Sequence, residues 1–250
     1  MLMKRLIVSL LILIGMPYTR AYCQSEIQDS SQIQPSINQA IGIYYKAIGE
    51  NAHLYNGSEY LQYIVYNPTP DRNPFFQNIF MQNGTVQYDG TVYHDVPLTY
   101  DVYKDALISL RYNWNYRIKL VTDKIGFFDL AGHHFVLINE DSTASLPDGT
   151  GFYEELYNGK SLSVLAKRKR KKEDRLYSAE FTTYFLPNDH YYVKKGGNYY
   201  PVNSKSSVLD VFQDKKKDIR KYLRKNNISF KPSPETGIVS AAAYYDQIKN

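Results

Sequence analysis

The sequence predicts an α+β protein, mainly antiparallel β: a β-rich meander, forming an open barrel or sandwich-like sheet, with one helix before it and two at the carboxyl end. Three observations predict this. From Tyr60 to Val202, apolar and polar residues alternate in short runs dense in Tyr, Val, Ile and Thr, the period of half-buried strands. Turn signals punctuate the runs at Asn83-Gly84, Asp89-Gly90, Asn158-Gly159 and Gly196-Gly197-Asn198, as in consecutive hairpins. On either side of this region the apolar residues recur at helical spacing instead.

At the amino end, Lys4 and Arg5 precede an apolar stretch, Leu6 to Met16, which Pro17 ends. Ala21 and Cys23 are small residues before Gln24. This layout predicts a secretory signal peptide over 1–23. The stretch is too short for a membrane span, which takes about 20 residues. Cys23 is the only cysteine, so cleavage after it leaves a mature chain without disulfides. Lipidation of Cys23 is the alternative, although Thr19 and Arg20 separate it from the apolar core.

Residues 24–35 are polar and predict a flexible leader. The domain then runs over 36–250. Ser36 is the expected cap of a helix carrying Ile37, Ile41, Tyr44, Tyr45 and Ile48, which Gly49 stops. Within the β region, Arg117–Val121 and Phe181–Leu186 alternate well, while Gly132–Ile138 is apolar enough to be central. A helix over about 207–227 is expected from a Ser207-to-Asp210 capping pattern and the stripe Leu209, Phe212, Ile219, Tyr222 and Leu223. Ser233 and Pro234 start a second, about 233–248, with Ile238, Ala242, Tyr245 and Ile248 inward. No Pro/Gly/Ser linker divides the chain, so a single domain is expected.

Charge is segregated. Residues 24–159 hold 7 Lys/Arg against 16 Asp/Glu, a net −9, and residues 160–231 hold 19 against 7, a net +12. Such a split lets the two regions pack on each other, face an anionic partner, or associate head to tail.

Three stretches, GTVQYDGTVYHDVPLTYDVYKD (84–105), GFYEELYNGKSLSVLAKR (151–168) and VLDVFQDKKKDIRKYLRKNNISF (208–230), resemble uncharacterised exported proteins of Bacteroidota-type bacteria. The resemblance covers most of the mature chain. It implies export, and brings no activity, ligand or catalytic residue with it.

Catalytic signatures are sparse. His133-His134 are adjacent, so on a strand they point to opposite faces and do not share a metal easily; neither metal nor cofactor is expected. His94-Asp95 has the same geometry, and His53 and His190 sit beside turn residues. Asp89, Asp95, Asp101 and Asp105 suit a glycoside-hydrolysing carboxylate pair only at a defined separation; as alternating acids they read first as a solvated strand face. No G-x-S-x-G, P-loop or G-x-G-x-x-G occurs. The 25 tyrosines suit a ligand-facing sheet as well as a packed one; Trp114 is the stronger stacking residue and a candidate binding residue.

The run Lys167, Arg168, Lys169, Arg170, Lys171 and Lys172 supplies the other candidate binding residues. It reads as the exposed end of a long hairpin between strands 161–166 and 176–185, open to lipid head groups or phosphorylated glycolipid. On that reading its replacement by Ser or Gln leaves the fold intact. An exported chain does not meet nucleic acid, so none is expected as a partner, and the mature chain has no transmembrane stretch. The expected function is therefore that of a secreted or periplasmic cell-envelope protein, a non-catalytic binding or structural module with an anionic surface or a protein as partner. The alternative is a carbohydrate-active hydrolase using paired carboxylates.

Overall fold

The structure is a computed structural model that describes residues 30–48, 53–63, 66, 72–111, 116–139, 146–177 and 179–249. The expected signal peptide, Cys23, Trp114 and most of the loop after Asn139 lie outside the described residues. The fold is mainly antiparallel β, as predicted, with a helix before the strands and helices after them.

Thirteen strands follow in chain order: β1 (Ser58–Glu59), β2 (Gln82–Tyr88), β3 (Thr91–Asp101), β4 (Ala106–Leu110), β5 (Arg117–Lys119), β6 (Ile125–Leu130), β7 (His133–Ile138), β8 (Gly151–Asn158), β9 (Leu162–Lys167), β10 (Arg170–Tyr177), β11 (Glu180–Pro187), β12 (His190–Lys195) and β13 (Asn198–Val202). Eleven form one sheet in the order β1-β5-β4-β3-β2-β6-β7-β8-β9-β12-β13, and β10 and β11 pair separately. The order has two ends, so the sheet is open rather than a closed barrel. β7 is interior, as its apolar run predicts.

The turns divide by backbone need. Asp89-Gly90, Ala131-Gly132 and Gly196-Gly197 all have positive φ at both residues, which is the geometry of a tight two-residue hairpin. Asn83-Gly84 is not a turn. Gly84 lies inside β2 beside a register shift against β3, and a Cβ there would collide with the Asp129 carbonyl of β6. The glycine serves close strand approach at a bulge instead.

Among the described residues one α-helix precedes the sheet, α1 (Ser30–Ile48). It begins inside the stretch expected to be a flexible leader, and Ser36 is interior rather than a cap. Pro35 stands in the helix, where its fixed φ fits and its missing N–H forgoes one backbone bond. Ile43 and Tyr44 on this helix are exposed.

The carboxyl end folds as α2 (Lys205–Val211), a 3-10 turn (Gln213–Lys215), α3 (Lys216–Lys225) and α4 (Glu235–Lys249). The first expected helix is thus broken near Phe212, and its cap is Ser204 rather than Ser207. Ser204 accepts from the Ser207 N–H and Ser207 accepts from the Ser204 N–H, a complete capping box. The second start is as expected: the Ser233 hydroxyl accepts from the Glu235 N–H, with Pro234 between them.

Two large apolar clusters share the sheet. One packs Val86, Tyr88, Leu98, Tyr100, Phe128, Phe135 and Phe152 from β2 to β8. The other packs alternate residues of β9 (Leu162, Val164, Ala166) against Leu209, Phe212, Ile219, Leu223, Ile238, Ala242 and Tyr245 of the terminal helices. A small third cluster, including Tyr153, Leu165 and Tyr192, takes the intervening residues. The tyrosines are core residues more than surface ones: nine described tyrosines, among them Tyr88, Tyr100, Tyr153 and Tyr245, are buried. Tyr66, Tyr103, Tyr116 and Tyr200 remain exposed.

Candidate functional site: a buried charge junction

The basic run does not end a solvated hairpin. β9 ends at Lys167 and β10 starts at Arg170, so the run carries the chain from the large sheet into the two-stranded one, whose last described pair is Tyr177 with Glu180. Lys167 and Arg168 are 5% and 8% exposed. A buried cation survives only with partners, and each has them.

Arg168 is the centre. Its Nε donates to Glu154 Oε2 at 2.6 Å, and its Nη1 to Asp189 Oδ2 at 2.9 Å and Glu235 Oε2 at 2.8 Å. These carboxylates come from β8, from the loop before β12 and from the first turn of α4. The planar fork of arginine suits such multiple donation. Burial would lower the Arg168 pKa, but Glu154 and Glu235 outweigh it and raise the pKa above the usual arginine value. Glu154 is itself almost fully buried and accepts a second bond from His133 Nδ1 at 2.5 Å. His133 Nε2 meets the Gln77 carboxamide at 2.7 Å and its ring packs edge-on to Phe76. A histidine oriented by a glutamate resembles a base with its orienter, but the group at its outer nitrogen is an amide, not a nucleophile.

Lys167 lies on the other face of the strand. Its Nζ donates to Asp105 Oδ2 at 2.6 Å and to the Phe152 carbonyl at 3.2 Å. Asp105 also accepts from the Tyr100 hydroxyl at 2.5 Å, and burial together with Asp105 pushes the Tyr100 pKa well up. The pair fits because residue 151 is glycine at φ 148°: a Cβ there would collide with both Asp105 and Lys167. Lys169 donates to Asp148 Oδ1 at 2.9 Å. Asp148 also accepts from Tyr192 at 2.6 Å and from His190 at 2.8 Å. Burial would raise the Asp148 pKa, yet these donors hold it at about 2. Arg170 lies 3.6 Å from Asp189, and Lys171 and Lys172 pair along their own strand with Glu173 and Asp174.

The acids expected on a solvated face are partly buried as well. Asp101 is fully buried and accepts from the hydroxyls of Tyr60, at 2.7 Å, and Tyr63, and from the Lys104 N–H. Asp246 on α4 accepts from the backbone of Lys160 and Ser161 and from Tyr157. His133 and His134 do part to different partners: His134 Nδ1 meets Asp129 at 2.6 Å. No group of three or more His, Cys, Asp or Glu set to hold a metal ion occurs among the described residues.

Asp148, Glu154, Asp189 and Glu235 are not legible as site residues, and Asp105 is legible only as one of four alternating acids. The signal for the contacts of Asp105, Asp148 and Glu154 is the −9 and +12 split; Asp189 lies in the basic region and Glu235 beyond it. Asp105, Asp148 and Glu154 of the acidic region meet Lys167, Lys169 and Arg168 of the basic one, so the two regions pack on each other. A shallow recess of about 680 Å³ lies elsewhere, lined by Lys195, Tyr200, Asp210 and Asp214 among others. Asp210 pairs there with Lys216, and Asp214 with Lys195 and Tyr245. No described helix is long and apolar enough to cross a membrane. No protein-family model, curated protein or solved structure matches the chain.

Proposed function

We propose that this is an exported cell-envelope protein acting as a non-catalytic binding or structural module. The observation that carries the reading is how its carboxylates are used. A glycosidase needs two carboxylates facing one free space. Here Asp101, Asp105, Asp148, Glu154 and Asp246 each face donors from their own chain, and their role is cohesion. Export is supported by the signal-like layout of 1–23.

One observation favours a hydrolase as second reading: Asp210 and Asp214 share a recess with Tyr200, a ring on which a sugar can stack. Incubation with a panel of envelope polysaccharides separates the two. The module retains its ligand in sedimentation and releases no reducing ends. Release of reducing ends that Asp210→Asn or Asp214→Asn abolishes, in a folded variant, overturns the module reading. Mass spectrometry of the exported protein checks the compartment, with Gln24 as the expected first residue.

A further inference from the structure

The protein holds a second concentration of positive charge, and no ion pair among the described residues neutralises it. On α3, Lys217, Arg220, Lys221, Arg224 and Lys225 are all exposed. Their spacing of three, four, seven and eight residues from the first puts them on one face. Among the described residues no carboxylate pairs with any of the five. Asp218 is the single acid of the helix.

The opposite face is anchored. Ile219 and Leu223 are buried among the terminal helices, and the Tyr222 ring stacks on Tyr244 of α4 at 4.0 Å and 4°. The cations therefore form a fixed row about 12 Å long. A plain solvated helix face is the ordinary explanation of surface lysines, and Arg224 and Lys225 do gain from the carboxyl end of the helix dipole. That gain does not reach Lys217, Arg220 or Lys221, which lie further from the end. The contrast with residues 167–172 sharpens the point: there each cation meets an acid of the same molecule.

We propose that this face of α3 is a docking surface for a membrane carrying anionic phosphate head groups. The inference rests on the envelope-module reading above. The five lie in a row along one face of a helix, and none of them is an aromatic ring on which a base would stack. It has no apolar residue to insert, so attachment is peripheral and electrostatic. Each basic side chain near an anionic surface strengthens partitioning by about fivefold, and salt weakens it as the screening length falls from about 10 Å at 0.1 M to about 3 Å at 1 M.

The test is sedimentation of the full chain with vesicles of phosphatidylcholine alone or with roughly 30 mol % phosphatidylglycerol, at about 0.1 M and about 1 M salt. Binding is expected only to the anionic vesicles at low salt. Lys217→Gln/Arg220→Gln/Lys221→Gln is expected to weaken it at least tenfold, and Arg224→Gln/Lys225→Gln to weaken it separately. Lys171→Gln/Lys172→Gln is expected to bind as the unaltered protein does. Circular dichroism confirms that each variant is folded. Equal binding to neutral vesicles, unchanged binding by both helix variants, or preference for a single-stranded oligonucleotide over vesicles of equal charge overturns the proposal. Turnover of a polysaccharide would sink the module reading by itself, without altering the vesicle result.

Discussion

Arg168 is held by carboxylates from three separate parts of the chain, and that makes it the residue whose loss the protein tolerates least. Arg168→Ala leaves Glu154, Asp189 and Glu235 facing one another without the cation. Breaking a buried pair in this way costs about 3–5 kcal/mol, and the melting temperature should drop by roughly 6–20 °C for a chain of this size. Arg168→Lys keeps the charge but not the fork, so its melt should fall between the two. A melting curve for Arg168→Ala within a degree or two of the unaltered protein would reject this account. Asp148 gives a second expectation, with a pH sign. Its pKa is lowered to about 2 in the fold from an ordinary 3.8, so its contribution is present above pH 4 and is lost as pH falls from about 4 to about 2. Asp148→Asn should cost about 1–3 kcal/mol at neutral pH, since Lys169, Tyr192 and His190 lose a charged acceptor. The stability gap between the two proteins should then narrow over pH 4 to 2. A gap that is constant across that window excludes the carboxylate as its source.

At the scale of elements, Ser204 is the clearest single handle. It accepts from the Ser207 N–H at 3.2 Å, so Ser204→Ala should cost about 0.5–2 kcal/mol. Ser207→Ala removes the reciprocal bond to the Ser204 N–H and should cost less, because that donor precedes the helix, whereas Ser204 satisfies one of the unpaired N–H groups of its first turn. Urea titration of both variants ranks them; equal or reversed costs would show that the box is not what starts α2. The same segment shows how far elements were legible. A cap was expected three residues late because Ser207 and Asp210 imitate the pattern that Ser204 and Ser207 complete, and both sets satisfy the same spacing. Apolar periodicity located the buried stripe of the terminal helices correctly, since burial of Leu209, Phe212, Ile219 and Leu223 follows from spacing alone. Asp89-Gly90 and Gly196-Gly197 were legible as turns because positive φ is a local demand. Asn83-Gly84 misled because its glycine answers a neighbour 45 residues away, Asp129, rather than its own turn. Strand alternation, being local, was readable; strand order, set by distant pairings, was not.

Across the whole molecule, the charge split is an internal adhesive, and the junction residues show why they were hard to read. Lys167 meets Asp105 across 62 positions and Arg168 meets Glu235 across 67, distances at which local pattern carries no information. What a linear reading does show is six adjacent cations, for which mutual repulsion and an exposed site are the natural inference. The fold resolves the repulsion by leading the chain out of β9 and into β10 and setting acids against every one of the six, Asp189 serving both Arg168 and Arg170. The junction also lies where the two large clusters meet, beside Phe152 of the first and Ala166 of the second, so it ties the strand-only part of the sheet to the part covered by helices. Replacing all six residues 167–172 with Gln should therefore not leave the fold intact. It leaves buried Glu154 and half-buried Asp105 and Asp148 without their cations at once, and its melt should lie below that of Arg168→Ala or lose cooperativity altogether. Lys171→Gln/Lys172→Gln touches only exposed and half-exposed pairs within one hairpin and should move the melting temperature by no more than about 8 °C. High salt discriminates further. Screening reaches exposed pairs far more than buried ones, so about 1 M salt should change the stability of the unaltered protein little despite its many ion pairs. A six-residue variant that melts with the unaltered protein would mean that apolar packing alone joins the two clusters, and that the buried ion pairs are passengers.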